Sequence, residues 1–63
     1  STMYLEYNWT ACCYQPRFGN SFTSVNGWRF FETLQQAKNE LAIAGLRLSR
    51  KTDSRTWQIE RAD

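Results

Sequence analysis

The chain of 63 residues predicts a small α+β fold: an antiparallel sheet with one helix packed on one face, in the order β-β-β-α-β-β. Three observations carry that reading. Side chains alternate apolar and polar over residues 3–13, 46–51 and 55–61; residues 34–44 carry an apolar stripe between a cap and a glycine; and Asn26-Gly27 separates two β-prone runs. Residues 1–63 form a single domain, because a chain this short removes only about 60 % of its unfolded surface from water and has no room for a second core. With 41 % apolar and 16 % aromatic residues, it is too hydrophobic to remain disordered.

The first element is a strand over residues 3–13. Met3, Leu5, Tyr7, Trp9, Ala11 and Cys13 fall on one side, and Tyr4, Glu6, Asn8, Thr10 and Cys12 on the other. Gln15-Pro16-Arg17 breaks the alternation, since proline removes a ladder donor, and with Gly19-Asn20 it reads as a loop over residues 15–20. A two-residue Asn26-Gly27 turn then joins strands over 21–25 and 28–31. This sets Val25 opposite Trp28, Thr23 opposite Phe30, Ser24 opposite Arg29 and Phe22 opposite Phe31.

Thr33 reads as the N-cap of a helix over 34–44, with Gln36 completing a capping box. Leu34, Ala37, Leu41 and Ala44 share the stripe that faces the core, Ile43 lies on the opposite side, and Gly45 is placed to end the helix in the left-handed conformation. A second hairpin follows, with arms 46–51 and 55–61 around Thr52-Asp53-Ser54. Leu46, Leu48, Trp57 and Ile59 point inward; Arg47, Ser49, Lys51, Thr56, Gln58 and Glu60 point outward.

The composition argues against catalysis. There is no histidine, so imidazole acid–base chemistry, triads and the common zinc sites are closed. The acidic residues Glu6, Glu32, Glu40, Asp53, Glu60 and Asp63 are scattered, and no glycine-rich phosphate loop is present. The expectation is therefore no enzyme, no cofactor, no metal and no small-molecule substrate. Cys12 and Cys13 are adjacent, and on a strand they point to opposite faces, so they are read as reduced thiols of a cytoplasmic protein, with a redox role or an intermolecular bond as the alternative. No apolar run approaches the roughly 18 residues of a membrane span.

The charge pattern is more informative. Up to Gly45 the cations and anions cancel; from Leu46 onward Arg47, Arg50, Lys51, Arg55 and Arg61 exceed Asp53, Glu60 and Asp63, so the whole net charge of +2 lies in the last hairpin. Arg47, Arg50, Lys51 and Arg55, interleaved with hydroxyls, form the footprint expected for a polyanion, nucleic acid before an acidic protein surface. Solvated edge strands carry lysine and arginine for their own sake, which is the plain alternative. A different class of function rests on Trp28, Phe31 and Ile43 as an apolar patch for a protein partner or a homodimer, in the manner of a small regulator or inhibitor that covers a larger protein's surface.

Overall fold

The computed structural model describes all 63 residues. Five antiparallel strands and one helix follow in the predicted order: β1 Met3–Asn8, β2 Cys13–Phe18, β3 Ser21–Phe22, α1 Leu34–Ile43, β4 Leu46–Asp53 and β5 Thr56–Arg61. In the sheet they lie as β3-β2-β1-β5-β4. The first and last strands of the two hairpins therefore meet at the centre, with β1 paired to β5 from Met3 opposite Ile59 to Glu6 opposite Thr56.

The strand expected over residues 3–13 ends at Asn8; residues 9–12 are a turn and Cys13 opens the returning strand β2. Asn8 ends β1 because its side-chain Oδ1 accepts from the amides of Thr10 at 3.0 Å and Ala11 at 3.2 Å, and Cys12 takes φ 55, so the chain reverses over residues 9–12. Alternation alone cannot reveal such a reversal, since Trp9, Thr10, Ala11 and Cys12 keep period two in sequence while they form the turn. Tyr14 comes to lie opposite Tyr7, and Pro16 opposite Leu5.

Gln15-Pro16-Arg17, expected as a loop, is the middle of β2. The carbonyl of Pro16 accepts from Thr23 on the β3 side, and in an antiparallel strand the amide position of a residue faces the same way as its carbonyl. The missing N–H thus points away from β1, and the β1–β2 ladder runs through Pro16 uninterrupted.

The Asn26-Gly27 turn forms as expected, with φ 52 and 81 and reciprocal backbone bonds of 2.9 Å between Val25 and Trp28. The arms do not continue as a ladder. Phe22 pairs with Arg17, Thr23 bonds Pro16, and Phe31 exchanges two bonds with Tyr14, so both arms are drawn to the outer edge of β2 instead of to each other. The expected pairs Thr23–Phe30, Ser24–Arg29 and Phe22–Phe31 are therefore absent. The turn docks on the helix, where Asn26 Nδ2 donates to the Glu40 carbonyl at 2.7 Å.

The helix begins as the sequence reads. Thr33 Oγ1 accepts from the Gln36 amide at 3.0 Å, while Gln36 reaches back to the amide of Glu32, one residue earlier than in a standard box, at 3.1 Å. At its end Gly45, φ 76, donates to the Ala42 carbonyl. Ala37 and Leu41 are fully buried and Leu34 lies at the core margin, whereas Ala44 is exposed. The core consists of Leu5, Val25, Phe31, Ala37, Leu41 and Ile59, which places the helix on the face of the sheet that bears Leu5 and Ile59.

Candidate functional site

The hairpin β4–β5 is longer than expected and turns at Ser54-Arg55. The Arg55 amide donates to Asp53 Oδ1 at 2.9 Å. This bond first, and the Thr56 hydroxyl second, hold the Asp53 carboxyl below its ordinary pKa.

Two irregularities interrupt the register, between Leu48 and Arg50 and between Lys51 and Asp53. At each, a hydroxyl on β4 donates across to a β5 carbonyl: Ser49 to Gln58 at 3.2 Å and Thr52 to Thr56 at 3.3 Å. The first bulge redistributes the cations. Uninterrupted alternation would set Arg47, Ser49 and Lys51 on one face; instead Arg50 lies opposite Gln58 and joins Arg47, opposite Glu60, on the side away from the helix. Lys51 lies opposite Trp57, on the helix side, with Nζ 5.0 Å from the ring centre. The outward direction expected for Lys51 is thus corrected: the hairpin carries cations on both faces and at its tip. Thr56, expected to point to solvent, is buried.

The four cations also differ in what neutralises them. Arg47 forms a salt bridge with Glu60 at 2.6 Å. Arg50, Lys51 and Arg55 are exposed and form none. The other ion pair, Arg17 with Glu6 at 2.8 Å, lies on the sheet's far side, where the Arg17 guanidinium also covers the Tyr4 ring at 4.6 Å.

Tertiary structure brings aromatic rings to the same end of the sheet. The Tyr7 amide donates to the Arg55 carbonyl at 2.8 Å, which sets the β1–β2 turn beside the hairpin tip. Tyr7 and Tyr14, paired across β1 and β2, have ring centres 4.7 Å apart, and Tyr14 and Trp57 are 5.8 Å apart. All three are half-buried and share the face of Leu5 and Ile59, so burial falls away toward this end. Desolvation first, and the neighbouring Cys12 thiol second, push the Tyr7 hydroxyl above its ordinary pKa. Trp9, in the adjoining turn, is 67 % exposed. Sequence reasoning missed this cluster because Tyr7, Tyr14 and Trp57 come from three strands whose adjacency depends on the central β1–β5 pairing.

Of the residues expected to form an apolar patch, Ile43 is 73 % and Trp28 46 % exposed, but Phe31 is fully buried. Phe31 is corrected to a core residue: its backbone pairing with Tyr14 turns the ring under the helix. Cys12 and Cys13 are unbonded, the first exposed and the second buried.

An open cleft of about 580 Å³ lies between Ala44–Leu46 and Arg61–Asp63, and a smaller one of about 230 Å³ is lined by Lys38, Ala42, Leu46, Arg47 and Leu48. No helix is long and apolar enough to cross a membrane. Comparison of the chain with protein-family models, curated proteins and solved structures finds no match.

Proposed function

We propose that this chain is a small non-catalytic binding protein that contacts nucleic acid through its C-terminal hairpin. The observation that carries the reading is the presence of Arg50, Lys51 and Arg55 on one short hairpin, exposed and in no salt bridge. Their distribution over two faces and the tip lets a polyanion be met from more than one side. Arg47 contributes less, because a phosphate would have to compete with Glu60 for it.

The test is binding to oligonucleotides across a salt series, with the wild type beside an Arg50→Glu, Lys51→Glu, Arg55→Glu variant. Three phosphate contacts correspond to a slope of log K against log salt of about −2 on a single strand and about −2.7 on a duplex. The charge-reversed variant should lose this binding. Salt-insensitive binding, or none by the wild type at low ionic strength, overturns the proposal.

A second reading, a regulator that covers a protein surface, is favoured by the exposure of Ile43 and Trp28. It predicts that charge reversal of the hairpin leaves partner binding intact and that polar substitution of Trp28 and Ile43 abolishes it.

A further inference from the structure

We propose that the tip end of the sheet is a stacking platform for single-stranded nucleic acid, with Tyr14, Tyr7 and Trp57 receiving bases and Lys51 and Arg55 receiving phosphates. The proposal rests on the polyanion reading and narrows it to one class of ligand.

Three central strands each supply one ring, and the rings form a continuous series at 4.7 and 5.8 Å, tilted at 58° in both pairs. They are half-buried, so each is anchored by the sheet while part of its surface stays open. Two exposed cations border them, Lys51 opposite Trp57 and Arg55 bonded through its carbonyl to Tyr7. The Lys51 ammonium lies over the indole on a flexible stem, so it can swing to a phosphate and leave the ring face to a base. Trp9 adds a fourth, exposed ring in the adjoining turn.

Rings held in place with cations at their margin suit a ligand that alternates flat π-faces with negative charge. Unpaired bases offer their faces; a duplex keeps them stacked inside, so the same rings have little to grip there. The opposite face of the sheet is a poorer candidate. Its row Phe22, Arg17, Tyr4, Gln58, Arg50 also mixes aromatic and cationic groups, but Arg17 is held by Glu6 and by the Gly19 carbonyl and covers the Tyr4 ring.

In a Trp9→Phe, Trp28→Phe protein, Trp57 is the one remaining indole. This protein is titrated at low salt with an oligothymidylate of about 12 nucleotides, the matching oligouridylate and a blunt duplex of the same length. The expected result is saturable quenching of Trp57 by one or both single strands, with tighter binding than to the duplex. In the wild-type background Tyr7→Leu should loosen single-strand binding about 5- to 150-fold, the range for loss of one base stack, and Tyr7→Phe should retain it. If Tyr7→Leu does not fold, as judged by thermal melting, the Trp57 signal and the single-strand preference decide alone. Salt-sensitive binding with Trp57 emission unchanged, or equal affinity for the duplex, overturns the platform while the hairpin reading stands. Absence of salt-sensitive binding to all three probes overturns both.

Discussion

Lys51 and Trp57 face each other across β4 and β5, with the ammonium 5.0 Å from the ring centre, because the bulge at Ser49 turns Lys51 toward the helix side of the sheet. An exposed contact of this kind contributes about 0.5–1 kcal/mol. Lys51→Gln should therefore lower unfolding stability by about that amount in urea titration and alter Trp57 emission, whereas Arg50→Gln, on the other face, should leave the emission unchanged.

Leu41 is the helix residue that commits the core, fully buried beside Ala37. Truncation of a buried leucine to alanine costs about 2–5 kcal/mol. A domain of 63 residues commands only about 3–9 kcal/mol in total. Leu41→Ala should consequently be largely or wholly unfolded at 37 °C by circular dichroism, while Ile43→Ala, on the exposed side of the same helix, should melt close to the wild type.

Gly27 sits at φ 81 in a turn whose partner residue Asn26 is anchored to Glu40. Space is no obstacle there, since a Cβ would meet nothing, so the cost of Gly27→Ala is conformational alone, about 1–2 kcal/mol. The melting temperature should fall by about 4–8 °C per kcal/mol in a domain of this size. Asn26→Ala removes a side-chain bond besides the turn preference and should cost at least as much.

Asp53 governs the acid side of the stability curve for its turn. Its carboxyl is held below the ordinary value chiefly by the Arg55 amide, then by Thr56, and an unfolded chain loses both. The folded state therefore binds this proton less readily than the unfolded state. The stabilisation is complete above the unfolded carboxylate pKa, about 3.9, and is lost as pH falls through the lower folded value. The melting-temperature gap between wild type and Asp53→Asn, present at neutral pH, should close in that acid window.

The two neighbouring thiols should behave differently toward a thiol reagent. Cys12 is exposed and Cys13 is 8 % exposed. One equivalent should react rapidly in the native protein and the second only on unfolding, which follows from access to the sulfur. Equal rates would show that Cys13 is not covered in solution.

Elements whose cause is local were legible from sequence. The helix was read from Thr33, its apolar stripe and Gly45, each of which acts within a few residues of itself; the positive-φ turn was read from Asn26-Gly27 for the same reason. The order of elements and the inward direction of Leu41 and Ile59 followed too. The clustering of cations in the last hairpin was visible as composition, yet their distribution over its faces was not, because the bulge at Ser49 exchanges the sides of Arg50 and Lys51 before a second irregularity, ahead of Asp53, restores the alternation.

What needed the tertiary structure was whatever depends on partner choice. Alternation over residues 3–13 reads as one long strand, yet residues 9–12 are a turn, and it is the pairing of β1 with the returning β2, Tyr7 opposite Tyr14, that ends the first strand at Asn8. Pro16 stays in a strand because its missing N–H faces away from β1. Phe31 leaves the surface because the edge of β2 outcompetes the hairpin arm for its backbone. Period and capping are properties of a segment; register, bulges and the juxtaposition of Tyr7, Tyr14 and Trp57 arise when hydrogen-bonding groups far apart in sequence select among several partners, and the buried core determines which selection is stable.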